Sequence, residues 1–115
     1  AAGCYNTSTG AYEAQIAGWY MFSVAVRYDQ ISGTGYVRPQ LRFLANGSST
    51  WVYPHTGGWV DPIYGSDLGT GYYLNISYTV PMYMNVGDQV RVFNNGNMTT
   101  SVNHDESHFG CIFMG

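Results

Sequence analysis

The side chains of this chain that could perform chemistry include three histidines and seven acids, with one local cluster in His104, Asp105, Glu106 and His108. A histidine beside a carboxylate can act as an acid–base pair, and a catalytic zinc site needs three convergent ligands. His104 and His108 are four residues apart at the entry to a strand-like run, which puts them on one face but ~13 Å apart. Serine and cysteine nucleophile motifs such as G-x-S-x-G are absent. We therefore expect no enzymatic activity and no metal-dependent catalysis.

Calcium is the one cofactor that the acidic residues leave open. Asp61 and Asp67 lie in a long loop, and Asp88 lies in a tight turn. Calcium takes six to eight oxygen ligands, which is more than these residues supply within one chain. We expect no cofactor, with a calcium site shared between subunits as the alternative.

An excess of aromatic residues carries the functional argument. Aromatic side chains make up 17% of the sequence, and Tyr72 and Tyr73 extend a dense set that begins at Trp51. Flat rings beside amides and carboxylates suit sugars, because the ring meets apolar C–H surface while polar groups take the hydroxyls. Packing against neighbouring subunits is the alternative, since Tyr and Trp are also favoured at protein interfaces. The predicted ligand-binding residues are Trp51, Tyr53, His55, Trp59, Asp61, Tyr64 and Asp67.

The charge balance argues against several partners. The chain has four arginines and no lysine, the arginines are scattered along the sequence, and the net charge is −3. Nucleic-acid binding needs clustered cations to neutralise phosphates, so we expect no nucleic-acid partner. No run of 18 apolar residues is present, so we expect no membrane insertion. Since no targeting segment is visible, we expect a mature product or an excised domain.

The elements that must position these residues are predicted to be β-strands. Apolar and polar residues alternate in runs such as 20–27, 37–43, 74–80 and 89–92, with a period of two. Turn residues separate these runs, among them Asn46-Gly47 and Gly87-Asp88, and Pro81 indicates an edge strand or a bulge. The segment from Pro54 to Gly71 is interpreted as a long ordered loop. The sequence predicts one all-β domain over residues 1–115, a sandwich of eight to ten short strands.

Several motifs in this order resemble the globular head domains of the C1q family. They are YNTSTGAY at 5–12, AGWYMF at 17–22, LANGS at 44–48, NVGDQV at 85–90 and SHFGCIF at 107–113. The middle loop, and Gly110-Cys111 in place of Ser-Gly, depart from the usual pattern, and the compact bacterial and phage variant is the most similar. The resemblance implies a C1q/TNF-like jelly roll of about ten strands that assembles as a homotrimer and binds ligands without catalysis.

The same resemblance suggests a disulfide. In a jelly roll the first and last strands lie side by side, which would bring Cys4 near Cys111. A bridge closing so long a loop could stabilise the fold by ~4–5 kcal/mol. Two buried, reduced thiols are the alternative for a protein that matures in a cytosol.

The resemblance and the aromatic set together predict a binding or structural head on a phage or virion surface. It would be a fibre head or receptor-binding tip that contacts a cell-surface glycan or protein receptor during host attachment. The alternative is a secreted, extracellular C1q-domain protein of an animal with lectin-like recognition. Occupied glycosylation sequons and a disulfide would favour the animal protein; the sequons begin at Asn6, Asn46, Asn75 and Asn97. A glycan-cleaving enzyme would need paired carboxylates at hydrolase spacing, which the sequence does not reveal.

Overall fold

The computed structural model describes residues 3–6, 10–32, 36–52, 63–64, 72–96, 99–102 and 107–115. These residues form nine β-strands in two antiparallel sheets, and their burial pattern follows the alternation of the sequence. The strands are β1 (Gly3–Asn6), β2 (Ala11–Ala14), β3 (Gly18–Ser32), β4 (Tyr36–Leu44), β5 (Ile63–Tyr64), β6 (Tyr72–Met84), β7 (Gln89–Gly96), β8 (Thr99–Val102) and β9 (His108–Phe113). No helix long and apolar enough to cross a membrane occurs among these residues.

The two sheets differ in how they are built. The first has five strands in the order β1-β2-β7-β4-β5. In the second, the long strand β3 pairs with β6 along one edge and with β8 and β9 along the other. Most consecutive strands belong to opposite sheets, so the chain crosses repeatedly between them. The expected pairing of the first and last strands is not found, because β1 pairs with β2 and β9 pairs with β3.

The core lies between the sheets, and the apolar side of the alternating runs faces it. Tyr20, Phe22, Val24 and Val26 alternate along β3 with less buried residues. Phe22 is fully buried and packs against two further rings from β2 and β9, with ring centroids 6.0 and 5.9 Å away. Such aromatic pairs contribute about 0.5–1.5 kcal/mol beyond the area they bury. The alternation that predicted strands therefore also predicted the core.

Two tyrosine hydroxyls tie the sheets together. Tyr28 on β3 donates to Asn94 Oδ1 on β7 at 2.7 Å, and Tyr78 on β6 donates to the Pro39 carbonyl oxygen on β4 at 3.2 Å. Burial is the main cause that raises the pKa of both phenols, that of Tyr78 to about 12. The neutral phenols are therefore part of the folded state, since an ionised phenol would lose its role as donor.

Because of this burial, the free energy of unfolding depends on pH in the alkaline range. Because the pKa of Tyr78 is about 12 when folded and near 10 when unfolded, the native state holds protons that the unfolded state releases. We expect the free energy of unfolding to be insensitive to these two phenols below pH 10 and to fall between pH 10 and 12. Denaturant unfolding at several pH values measures how steeply the free energy of unfolding falls with pH. Tyr28→Phe should make this slope shallower. An equal slope in that variant would contradict the role of Tyr28.

The two predicted turns are present, and they are joined to each other. Gly47 and Gly87 have φ values of 84° and 89°, which favour glycine. The Asp88 carboxylate is buried and accepts the backbone N–H of Asn46 and of Asn85, each at 2.9 Å. It thereby connects the turn after β4 with the turn between β6 and β7. Pro81 lies exposed on β6, which is the edge strand predicted from it.

Candidate functional site

The predicted ligand-binding set falls mostly outside the described residues. Tyr53, His55, Trp59, Asp61 and Asp67 lie there. The backbone of Tyr64 is in β5 and pairs with Tyr36 on β4, and Tyr72 and Tyr73 begin β6 instead of extending the loop. Of the predicted ligand-binding residues, Trp51 is therefore the one with a described side chain.

Trp51 lies beside the edge of β4 and is covered by a cation. Its neighbour Val52 exchanges two backbone hydrogen bonds with Phe43, at 2.7 and 2.8 Å. The guanidinium carbon of Arg91, on β7, lies 4.1 Å from the Trp51 ring centroid. An arginine over an aromatic face is attracted by the ring's negative quadrupole. This contact fixes both the tryptophan and the arginine on the outer side of the five-stranded sheet.

A second arginine–aromatic contact lies next to the first. Arg42 on β4 is directly opposite Arg91 on β7 in the strand register. The Arg42 guanidinium carbon is 3.7 Å from the ring centroid of Phe93, an exposed residue of β7. The register thus places two like charges side by side, an arrangement that is unfavourable in itself.

The outer side of this sheet carries most of the chain's positive charge. Alternation along β4 places Arg38 on the same side as Arg42, four residues or ~13 Å away. Glu13 on β2 is the one acid at an outward position of the described strands of this sheet. We call this surface the arginine face and define it by Arg38, Arg42, Trp51, Arg91 and Phe93. It combines three arginines with two aromatic rings, each of which has a guanidinium group over it.

The outer side of the other sheet has a different character. Trp19 and Tyr83 form an edge-to-face pair with centroids 5.8 Å apart, and Ile112 is 69% exposed. We call this surface the apolar face; it consists of Trp19, Met21, Pro81, Tyr83, Ile112 and Met114. Ser23, Ser77 and Thr79 continue it along the strands without any formal charge. A contiguous exposed apolar patch of this kind is typical of protein–protein contact.

Of the histidine–carboxylate cluster, His108 belongs to the described part of the chain, whereas His104, Asp105 and Glu106 lie outside it. Ser23 Oγ and His108 Nε2 are 3.4 Å apart on the outer side of β3 and β9, and His108 is exposed. Cys111 carries a free thiol, and burial raises its pKa to about 11, which keeps it protonated at neutral pH. The side chain of Cys4 is outside the described residues. No group of three or more His, Cys, Asp or Glu side chains that could hold a metal occurs among the described residues.

The arginine face was not predicted from the sequence, although one of its members, Trp51, was predicted to bind ligand. Arg42 and Arg91 are 49 positions apart in the numbering and look scattered, yet they are register partners. The available signal was the outward position of both residues in their alternating runs. Comparison with models of protein families gave no match, and comparison with curated proteins gave none either.

Proposed function

We propose that this chain is a non-enzymatic binding head, a C1q-like jelly roll that assembles as a homotrimer and recognises cell-surface glycans. Its setting would be the surface of a phage or virus particle, as a fibre head or receptor-binding tip. The observation that carries this proposal is the contrast between the two outer faces. One is apolar and uncharged, and the other combines arginines with aromatic rings.

The connection pattern supports the jelly-roll part of the proposal. Strands β2, β3 and β4 alternate between the two sheets, and so do β5, β6 and β7. In a jelly roll, strands close in sequence likewise separate into facing sheets. The same order places the outer sides of the two sheets on opposite sides of the molecule, which allows assembly and ligand binding to use separate surfaces.

The apolar face supports the assembly part. Its charge-free extent along β3 runs from Trp19 to Ala25, and protein interfaces are depleted of charge at their centre. Tyr83 is half exposed and packs on Trp19, so both rings offer area to a second copy. Symmetric contacts between copies of one chain are the usual way in which such a face is covered.

One experiment tests assembly and recognition together, by light scattering and glycan-array binding. We expect the wild-type protein to have about three times the 12.7 kDa mass of the chain. Trp19→Glu places a charge in the apolar face and should give a monomer, with array binding weakened by loss of avidity. Val52→Glu is the matched control for assembly, because Val52 is similarly exposed but forms a backbone bridge to Phe43 on β4, in the other sheet.

The remaining outcomes separate the two parts of the proposal. Trp51→Ala should remain trimeric and lose array binding, since an aromatic anchor typically contributes ~2 kcal/mol or more. A wild-type monomer at micromolar concentration would remove the trimer. A wild-type trimer that attaches to no glycan on the array would remove glycan recognition.

A secreted, lectin-like animal protein is the second candidate, and one observation favours it. Two sequon asparagines, Asn46 and Asn75, are exposed and accessible to modification. The free thiol of Cys111 is instead in keeping with maturation in a reducing compartment. Intact-mass measurement of protein from its natural source distinguishes the two, because occupied sequons add large, heterogeneous masses.

A further inference from the structure

We propose that the arginine face binds an anionic saccharide, one that carries carboxylate or sulfate groups, and that Arg91 receives the charged group. The inference rests on the proposed glycan recognition and names the class of glycan. The ligand's sugar rings would lie against Phe93, and its anionic group would bridge the arginines of β4 and β7.

Arg91 is the residue that carries this inference. Its Nε atom is buried without a hydrogen-bond partner, and Arg91 makes no ion pair among the residues described. Arg27, on the other sheet, instead pairs with Asp29 at 2.8 Å. The stacking on Trp51 holds the Arg91 guanidinium in place. Less side-chain entropy is therefore lost when a ligand binds to Arg91. Its terminal nitrogens are then ready to form the paired hydrogen bonds that carboxylates and sulfates accept.

The register partner strengthens the case for an anion. Arg42 and Arg91 are directly opposite each other in the strand register. Two adjacent cations repel each other, so an anion that contacts both removes an unfavourable interaction in addition to forming new ones. Neutral sugars cannot supply this gain.

The charge of the whole chain limits which anion fits. The net charge is −3, so a long polyanion such as nucleic acid is repelled outside the arginine face. A saccharide with one charge per few rings needs only the local cations. The exposed ring of Phe93, beside Arg42, offers a surface for a sugar's C–H face.

The test compares three probes on the intact protein by calorimetry: sialyllactose, sulfated lactose and neutral lactose. We expect the charged probes to bind more tightly than lactose, and the tighter of the two identifies the anionic group. Arg91→Gln should weaken the charged probes about ten- to hundredfold and leave lactose unchanged. Arg27→Gln is the matched control, because it changes the net charge equally from the other sheet, and it should leave all three affinities unchanged.

Arg91→Lys provides a second variant that keeps the charge. It should also weaken the charged probes, because lysine lacks the planar fork that binds an oxyanion through two nitrogens. Equal effects of Arg91→Gln and Arg27→Gln, or displacement of sialyllactose by a single-stranded DNA oligonucleotide, would overturn the proposal in favour of general electrostatics. Lactose binding as tight as that of the charged probes overturns this inference alone and leaves glycan recognition standing. Binding of no glycan at all overturns both.

Discussion

Asp88→Ala is expected to lower the free energy of unfolding by about 3–5 kcal/mol. The substitution removes two charge-assisted hydrogen bonds, each contributing roughly 1.5–3 kcal/mol. Its carboxylate oxygens separately accept the N–H groups of Asn46 and Asn85, and Asp88 is only 5% exposed. Water cannot readily replace the lost acceptor, so one backbone N–H group in each of the two turns is left without a hydrogen bond. Urea unfolding at a fixed protein concentration measures the effect.

The control for Asp88 is Asp29, the other described aspartate, which forms an ion pair instead of buried hydrogen bonds. Asp29 is partly exposed and pairs with Arg27, so Asp29→Ala should cost no more than about 1 kcal/mol. A similar loss in both variants would show that removal of negative charge, and not the buried hydrogen bonds, sets the effect of Asp88→Ala.

Gly87→Val is expected to destabilise the fold by more than the same change at Gly47. Both glycines have nearly equal φ values of 89° and 84°, so the backbone strain of a β-branched residue is matched. A Cβ atom at Gly87 would lie 2.6 Å from Asn46 Cγ, whereas nothing lies within 4 Å of one at Gly47. We expect valine at Gly47 to lower the free energy of unfolding by about 1–2 kcal/mol through backbone strain alone. Valine at Gly87 should lower it by at least about 1 kcal/mol more, because of the collision with Asn46.

Thermal or urea unfolding of the two variants measures this difference directly. Adding Asn46→Ala to Gly87→Val should recover part of the loss, because it removes the side chain that the new atom meets. Equal melting temperatures for Gly87→Val and Gly47→Val would contradict this prediction. They would mean that the Asn46 side chain moves away without loss of stability, and that the positive φ alone sets the effect at both positions.

Local regularities account for what the sequence could predict. Alternating residues specify a strand and its inward side, so the core positions Phe22 and Val24 could be assigned before any pairing was known. The turns at Gly47 and Gly87 follow from chemistry that only a few residue types satisfy. These predictions required no knowledge of which strand neighbours which.

Register and strand order were beyond such reasoning. The opposition of Arg42 and Arg91 depends on β4 pairing with β7 in one particular alignment, which no local pattern encodes. The hydrogen bond between the Asp88 carboxylate and Asn46 could not be predicted for the same reason, because it joins two turns far apart in sequence. Trp51 could be proposed as a binding residue from its type alone, but not its contact with Arg91.

The central position of β3 also constrains how the protein can be made. One edge of β3 is completed by β6 and the other by β8 and β9, so residues 18–32 need partners from positions 72–84, 99–102 and 108–113. On a ribosome, this strand would emerge long before the segments that complete it. Its apolar side and its unpaired N–H groups would remain open to other nascent chains during that interval. Synthesis speed and the supply of chaperones would therefore govern the yield of native protein, and pauses placed before residue 108 would favour aggregation.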